Sequence, residues 1–290
     1  MYICNQCPRK CSVDRSEAVG ICGVEQNYKV ARAALHYWEE PCISGKKGSG
    51  TVFFSGCPLK CVYCQNSSIS DGCFGKEISE KRLIEIFKEL EAQGANNINL
   101  VSPTHYADQL SATLSKYKPS IPVVYNTGGY DSVDTLKKLE GLVDVFLTDI
   151  KYVSPTVSKK YSRAENYFEV ASKAVLEMRR QQPEDIFEDG ILKKGLIIRH
   201  LVLPGNISQG IKALEWINDN LSSNTIISLM GQYMPCTKAS EYPTINRKIN
   251  HREYETVLSK AEMLGFENVY IQELDSSSEE FIPDFDLQGV

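Results

Sequence analysis

From residue 51 onward, short apolar runs rich in β-branched residues alternate with longer segments of helical period. The runs are apolar on both faces, as expected for parallel strands that are covered by helices. Consecutive β-α pairs joined right-handedly form a parallel sheet that curls into an open or closed barrel, with ligands at the carboxyl ends of its strands. We predict strands at Thr51–Ser55, Asn97–Ser102, Pro122–Asn126, Val143–Ile150, Leu196–Leu203 and Thr225–Met230, with a seventh at Asn268–Gln272.

Segments between these runs carry signals of helix ends. Ser79 is placed to cap a helix that Gly94 ends, and Asn250 with Glu253 resembles a capping box. Residues 181–195, "QQPEDIFEDGILKKG", are predicted to be an extended loop. Further helices are predicted over Tyr106–Lys116 and Ser132–Leu139 and around the apolar stripes that begin at Tyr167 and Ile211.

Composition narrows the class of protein. The 290 residues are 42% hydrophobic and 24% charged, which is typical of a soluble globular protein. A net charge of −5 gives no electrostatic reason to expect nucleic acid as the main partner. The longest apolar runs have the length of strands, so no membrane span is predicted. The start, "MYICNQCPRKC", lacks the apolar core of a secretory signal, and we expect a cytoplasmic protein.

The chain has ten cysteines. A reducing cytosol does not favour a disulfide framework, so metal binding or catalysis is the better interpretation. Isolated cysteines are usually small buried hydrophobic residues, and we expect this of three of them. Those three are Cys42, Cys73 and Cys236, whereas seven others form two tight groups: Cys4, Cys7, Cys11 and Cys22, then Cys57, Cys61 and Cys64.

The second group lies in "TVFFSGCPLKCVYCQNSSIS", directly after the first predicted strand. A disulfide among Cys57, Cys61 and Cys64 would leave an odd thiol. Zinc would need a fourth ligand from elsewhere, such as Cys73 or a histidine. A [4Fe–4S] cluster with three cysteine ligands would leave one iron open to an exogenous amine and carboxylate, and this is the interpretation we favour.

The N-terminal group has a full set of four thiolate ligands, Cys4, Cys7, Cys11 and Cys22. Four thiolates suit structural zinc or an auxiliary iron–sulfur cluster, and the spacing does not separate the two. A metal here would fold a segment that is too small for its own core, or would relay electrons.

The motif C-x3-C-x-φ-C, with Tyr63 as its aromatic residue, resembles the signature of the radical S-adenosylmethionine (radical SAM) enzymes. The stretch "GSGTVFFSGCPLKCVYCQN" is similar to the corresponding loop of the pyruvate formate-lyase activating enzyme group. The segments "YNTGGY", "DVFLTDIKY" and "IIRHLVLPGN" match that group in order and spacing, so the resemblance covers most of residues 40–235. "CNQCPRKC" and "NINLVSPTHY" resemble a little-characterised branch of activating-enzyme-related proteins.

The resemblance implies a partial (β/α)6 barrel of the TIM type, with a [4Fe–4S] cluster whose open iron chelates SAM. It further implies reductive cleavage of SAM to a 5′-deoxyadenosyl radical that abstracts hydrogen from a protein or peptide, such as a glycyl radical enzyme. A low-potential donor such as flavodoxin or ferredoxin would supply the electron. One alternative is a radical SAM enzyme that acts on a small molecule or RNA. The other is a non-catalytic iron–sulfur or zinc protein that transfers electrons.

The resemblance also implies roles for residues at the second and third strand ends. Ser102 and Thr104 stand where activating enzymes carry Gly-Gly-Glu-Pro, and their oxygens could accept from the SAM ammonium in place of the carboxylate. Asn126 and Thr127 match the position where the group's Thr-Asn-Gly approaches SAM. The structural alternative is a plain turn that Asp131 caps.

At the next two strand ends, Asp149 and Lys151 match an Asp-x-Lys that lies near the SAM ribose and carboxylate in the group. Strand alternation puts both on one face. Arg199 would point into the barrel mouth towards the SAM carboxylate, with an ion pair to Asp149 as the rival, whereas His200 would face away.

These patterns predict three parts of the chain. Residues 1–45 form an N-terminal Cys-rich metal-binding segment, and residues 46–274 form the radical SAM barrel. Residues 275–290 form an acidic C-terminal tail that lies over the surface.

Overall fold

The structure is a computed structural model that describes residues 3–272, 274 and 283–290. Its strands are β1 (Tyr28–His36), β2 (Ser49–Phe54), β3 (Lys76–Ile78), β4 (Ile98–Val101), β5 (Val123–Thr127), β6 (Val145–Asp149), β7 (Ile186–Glu188), β8 (Ile191–Leu201), β9 (Ile226–Met230) and β10 (Val269–Ile271). Its α-helices are α1 (Pro41–Ser44), α2 (Ser67–Ser70), α3 (Glu80–Ala92), α4 (Ala107–Lys116), α5 (Val133–Lys137), α6 (Pro155–Ser162), α7 (Tyr167–Gln181), α8 (Ile207–Asn220) and α9 (His251–Met263). No helix within these residues is long and apolar enough to cross a membrane.

One sheet organises the molecule, in the order β10-β9-β8-β6-β5-β4-β2-β1-β3. The strands from β2 to β10 along this path are parallel, and β1 and β3 extend the sheet in antiparallel pairing. All seven predicted strands are present, and the predicted α/β class with a partial, open sheet is confirmed. Their carboxyl ends meet at one edge of the sheet, which is where ligands bind in such folds.

The prediction of a loop over residues 181–195 was wrong. Helix α7 runs to Gln181, and β7 then pairs with β8 as a hairpin. Asp189 and Gly190 form its turn with φ of 50° and 77°. An Asp-Gly pair with both φ values positive is the preferred two-residue hairpin connection, because its twist matches that of the strands.

Strand β1 was also absent from the prediction. It pairs with β2 through residues such as Ala33 opposite Val52. The described end of the chain runs along its other side, where Leu287 N–H donates to Ala31 O at 3.0 Å and Ala33 N–H donates to Gln288 O at 2.8 Å. Residues 275–282 of the predicted tail lie outside the described residues. The division of the chain at residues 45 and 274 stays a prediction.

The segment that follows β1, which includes α1, packs inside the curled sheet. Cys42 and Ile43 of α1 are buried against inward-facing residues of the parallel strands, such as Leu147 and Ile197. Asn97 Nδ2 donates to the carbonyl of Ile43 at 2.8 Å and anchors this segment to β4. The residues just before α1, including Glu39, are therefore held inside the sheet, below the edge where ligands are expected.

The predicted capping box at the start of α9 is confirmed: Asn250 accepts from Glu253 N–H at 2.9 Å, and Glu253 accepts from Asn250 N–H at 3.1 Å. We expect Asn250→Ala to lower the free energy of unfolding by about 1 kcal/mol, because the backbone N–H of Glu253 loses its side-chain acceptor. Urea unfolding with an unchanged m-value measures this loss. Asn218→Ala on α8 is the control and should not destabilise, because an exposed Asn inside a helix is a poor helix former. An unchanged midpoint for Asn250→Ala would contradict the expectation.

Candidate active site

The loop that carries Cys57, Cys61 and Cys64 follows β2 at the ligand-binding edge of the sheet. Gly56 opens the loop with φ +86°, and a Cβ there would stand 2.9 Å from Cys22 O, so only glycine fits. Cys57 N–H donates to that same carbonyl at 3.1 Å. The loop therefore begins in a fixed turn against the N-terminal segment.

His105 holds the strand just before this loop. Its Nε2 lies 2.8 Å from the carbonyl of Ser55, so this nitrogen must carry the proton and donate. Burial, with Arg15 nearby, lowers the pKa of His105 to about 3, so the ring is neutral at pH 7. His105 is therefore a positioning residue for the cysteine loop.

Serine hydroxyls contact two of the three thiols. Ser162 Oγ lies 2.9 Å from Cys61 Sγ, and Ser70 Oγ donates to Cys64 Sγ at 3.3 Å. Burial raises the pKa of all three thiols, that of Cys61 to about 12 with Lys151 opposing the rise. Metal binding needs thiolates, so loading the site releases protons.

The donor set fits a cluster with one open iron, since three soft thiol ligands lie near one another on one short loop and two of them, Cys61 and Cys64, line the cavity. Among the described residues, no three His, Cys, Asp or Glu side chains are close enough to bind a single metal ion. In a four-iron cluster each cysteine binds a different iron, so its sulfurs need not meet around one ion. Cys236, expected to be an isolated buried residue, also lies here, with its Sγ 3.3 Å from the carbonyl of Tyr63.

Tyr63, the aromatic residue of the motif, is buried beneath the loop. Its hydroxyl lies 2.5 Å from that of Tyr152, which in turn contacts Ser162 Oγ at 2.8 Å. Its ring meets that of Tyr233 edge-on, with centroids 5.9 Å apart. These contacts fix the distance between the loop and the ends of β6 and β9.

A charged network lies across the edge from the cysteines. The register of β6 and β8 pairs Asp149 with Arg199, and Arg199 Nε donates to Asp149 Oδ1 at 2.8 Å. The same guanidinium donates to Asn126 Oδ1 at 2.7 Å and contacts Glu39 Oε2 at 3.4 Å. Lys151 contacts the other oxygen of Asp149. Residues from the ends of β5 and β6 and from the segment before α1 thus share one guanidinium.

The two carboxylates of this network have opposite pKa shifts. Burial alone would raise the pKa of Asp149, but Arg199 and Lys151 outweigh it and hold that pKa below the ordinary value. Burial raises the pKa of Glu39 above the ordinary value, although Arg199 opposes it. Asp149 is therefore the ionised partner of both cations. The nearby cations offset the effect of burial on the pKa less completely for Glu39 than for Asp149.

A cavity of about 230 Å³ separates the cysteines from this network. Cys61 and Cys64 line this cavity together with Asp149, Lys151 and Arg199. The predicted residues at the fourth and fifth strand ends are thus brought together beside the cysteines. Asn126 joins them through Arg199.

The hydroxyls of Thr104 and Thr127 lie elsewhere. They contact each other at 3.1 Å, and Thr127 donates to Asp131 Oδ2 at 2.5 Å, in a buried polar group on the helix-facing side of the sheet. Ser102, with φ +59°, forms the turn after β4, and its N–H donates to Asn126 O at 2.9 Å. Of these residues only the Ser102 turn is joined to the network, through Asn126.

The four N-terminal cysteines lie near one another beside the cysteine loop, although in this structure their sulfurs do not converge on a single ion. Cys4, Cys7 and Cys22 are buried, and Gly20 stands where a Cβ would lie 3.3 Å and 3.4 Å from the sulfurs of Cys11 and Cys22. Burial raises the pKa of Cys7 to about 12 and also raises that of Cys22. The backbone hydrogen bond from Cys57 to Cys22 joins this group to the other. A zinc ion or second iron–sulfur cluster held here stays a prediction.

Two of these site residues had no signal in the sequence patterns. Glu39 and Glu40 belong to neither a periodic segment nor a motif, and only the path of the chain inside the sheet brings them to the site. His105 was visible only as part of "SPTHY".

The fold and the three-cysteine loop define a class of protein, and comparison with known families agrees with it. The model of the radical SAM superfamily matches residues 51–205. An uncharacterized protein of Methanocaldococcus jannaschii is 33% identical over 277 residues, which cover 92% of this chain and 76% of that protein. The chain therefore belongs to the radical SAM superfamily.

Two solved structures of SuiB from Streptococcus suis share the fold. SuiB bound to the precursor peptide SuiA matches 79% of this chain with a TM-score of 0.52 and 14% identity. SuiB bound to S-adenosylmethionine matches 77% with a TM-score of 0.51 and 12% identity. This chain spans about half the length of SuiB, 49% and 50% in the two structures. Family membership implies a [4Fe–4S] cluster and SAM as cofactors.

Proposed function

We propose that this protein reductively cleaves SAM and uses the product to abstract hydrogen from a protein or peptide substrate, as the glycyl-radical-enzyme activases do. The observation that carries the proposal is that Cys61 and Cys64 of the three-cysteine loop line one small cavity together with the charged network. Cysteines alone could serve electron transfer. The cations across the cavity suit an anionic group of a bound cofactor.

Each group of the site has a part in this proposal. A cluster bound by the three cysteines would supply the electron that breaks a bond of SAM. Arg199 and Lys151 would attract the carboxylate of SAM, and Asp149 holds both cations in place. Asn126 orients the guanidinium, and Tyr63 sets the loop against the strand ends. The hydroxyl and carbonyl oxygens of the Ser102 turn would accept from the SAM ammonium.

A peptide or protein substrate is supported by the fold and by the resemblance of the cysteine loop to that of the activating enzymes. SuiB, which shares the fold, was solved with a precursor peptide bound. We propose a low-potential donor such as flavodoxin or ferredoxin as the reductant, because iron–sulfur potentials extend down to about −700 mV and SAM cleavage needs the low end.

The test is detection of 5′-deoxyadenosine after anaerobic reconstitution with iron and sulfide and reduction in the presence of SAM. We expect the product from the wild-type chain and at least 100-fold less from Cys57→Ala, because the cluster loses one of three ligands. Cys42→Ala is the matched control, since Cys42 is a buried cysteine of the apolar interior. Equal product from the Cys57→Ala variant would refute the proposal. So would an EPR spectrum of the reduced cluster that SAM leaves unchanged.

A further inference from the structure

Two more cavities continue from the one beside the cysteines, within the described part of the chain. A cavity of about 160 Å³ shares Arg199 and Gln232 with it. A larger one of about 450 Å³ shares Glu39 and Glu40 with the 160 Å³ cavity. Together they lead from the cysteine loop, through the interior of the sheet, to a mouth beside β10. We call the two further cavities the acidic cleft.

Glu40 lies between the two cavities of the acidic cleft and lines both. The residue is only 6% exposed, yet its Oε2 has no hydrogen-bond partner among the described residues. Gln272 also lines both cavities, and its Oε1 is likewise buried without a partner among those residues. Buried acceptors without donors are costly, so a ligand that brings donors would stabilise this arrangement.

The cation already in the cleft does not satisfy Glu40. Arg199 directs its nitrogens at Asp149, Asn126 and Glu39. Burial raises the pKa of Glu40, and Arg199 only opposes this rise. A hydrogen bond from Ser228 also lowers this pKa, but burial still outweighs both effects. A second positive group would therefore find a carboxyl that is only partly compensated, in a low-dielectric place where an ion pair is stronger than in water.

The mouth of the cleft suits a long cationic side chain. Tyr37 and Trp38 are 50% and 61% exposed there, with Tyr270 also on the lining. Aromatic faces attract ammonium and guanidinium groups and cover the aliphatic stems that carry them. A lysine ammonium has three donors and no acceptor, and an arginine guanidinium has five donors and no acceptor. A volume of about 450 Å³ lies in the range of ligand sites.

We propose that the acidic cleft binds a lysine or arginine side chain of the peptide substrate, with Glu40 as its ion-pair partner. The assignment rests on the proposed function, because the cleft opens onto the cavity that holds the cysteines. It places a cationic residue of the substrate beside the residue that loses hydrogen.

The test measures binding by the full chain, anaerobically reconstituted. Fluorescein-labelled peptides Gly-Gly-X-Gly-Gly, with X as Lys, Arg, norleucine or Glu, are titrated by fluorescence anisotropy. We expect Kd values at least 10-fold lower for Lys and Arg than for norleucine, and Glu40→Gln should remove this difference. Glu184→Gln is the matched control, because Glu184 is an exposed glutamate on a separate cavity, and it should keep the difference.

A second readout separates binding from folding. Because Oε2 has no partner, the Tm of Glu40→Gln should stay level or rise by about 2–4 °C. A lower Tm would make Glu40 a structural residue and overturn the assignment. Binding without preference for Lys or Arg, absence of binding, or equal losses in both variants would also overturn it. Competition by n-butylamine as strong as by the Lys peptide would identify a free amine as the ligand and refute the peptide.

The outcome is independent of SAM cleavage. Deoxyadenosine formation without cationic selectivity refutes only the cleft assignment. Cationic selectivity that Glu40→Gln removes, in a chain that forms no deoxyadenosine, refutes only the proposed function.

Discussion

Gly129→Ala is expected to lower the free energy of unfolding by about 3 kcal/mol and to weaken SAM binding. Gly129 has φ +81°, and a Cβ on it would stand 2.1 Å from the carbonyl oxygen of Asp149 and 3.0 Å from Tyr167 Oη. The carbonyl belongs to backbone at the end of β6 and cannot rotate away. The variant must therefore shift the turn after β5 or the strand end that carries Asp149 and Lys151.

The Tyr167 hydroxyl lies between the turn after β5 and the end of β6 and contacts the backbone of both. Its oxygen lies 2.9 Å from Gly128 O and 2.8 Å from Asp149 O, so its single proton is shared between these two carbonyls, and it accepts from Lys151 N–H at 3.0 Å. The Tyr167 side chain of α7 thus links the turn after β5 to the end of β6 through hydrogen bonds. A methyl group on residue 129 would disrupt these hydrogen bonds and would also strain the backbone.

Gly141→Ala is the matched control for Gly129→Ala. Its φ is +77°, but a Cβ there would meet nothing within 4 Å. The control therefore carries only the cost of a left-handed alanine, about 1 kcal/mol. Urea midpoints with a common m-value give both losses, and calorimetric titration of SAM gives the change in affinity. Equal losses of unfolding free energy in the two variants would show that the close approach at Gly129 does not contribute to the destabilisation.

The fold could be read largely from the sequence because its strands are buried on both faces. The run from Val143 to Ile150 has five apolar residues out of eight, and β6, which forms within it, is buried at every position. The hairpin at Asp189 and Gly190 was missed although its signal was present, because the polar residues around it were read as a loop. β1 was missed because Tyr28–His36 carries a less regular pattern, and its pairing comes from distant parts of the chain.

The site could be read where strand register determines it. Asp149 and Arg199 are paired near the carboxyl ends of neighbouring parallel strands, so their side chains meet at that edge. Strand alternation also explains why Asn126 and Thr127 separate: successive residues point to opposite faces, and only Asn126 points inward. Resemblance to a motif placed both beside SAM, whereas the pleat brings one of them to the network.

Glu39 and Glu40 could not be read from the sequence by any such rule. They lie on an irregular segment whose position depends on Ile43 packing inside the sheet and on Asn97 reaching its carbonyl. These are contacts between parts of the chain about 50 residues apart, and nothing local indicates them. A polar pair before a proline is more often a solvated turn.

Arg199→Met is expected to lower the free energy of unfolding by about 3–5 kcal/mol, because it removes the common cation from a largely buried network. The side chains of Arg199, Asp149 and Glu39 are 16%, 10% and 11% exposed. Asp149 would keep Lys151, but Glu39 would lose its contact with the guanidinium and keep neutral donors such as the amide of Asn126, which donates at 3.2 Å. The remaining carboxylates would then repel each other in a place that water does not screen.

Arg180→Met is the matched control for Arg199→Met. Arg180 also joins two carboxylates, Glu177 at 2.8 Å and Glu140 at 2.9 Å, but its side chain is 51% exposed, and the loss should stay below about 1 kcal/mol.

The loss for Arg199→Lys should lie between these two values, because an ammonium keeps the charge but lacks the planar guanidinium that contacts three partners. Adding Glu39→Gln to Arg199→Met should recover part of the loss, because it removes the carboxylate left without a cation. Urea unfolding measures all four variants. A loss for Arg199→Met no larger than that for Arg180→Met would mean that the network is not held by its guanidinium, and that SAM would find no preformed partner for its carboxylate there.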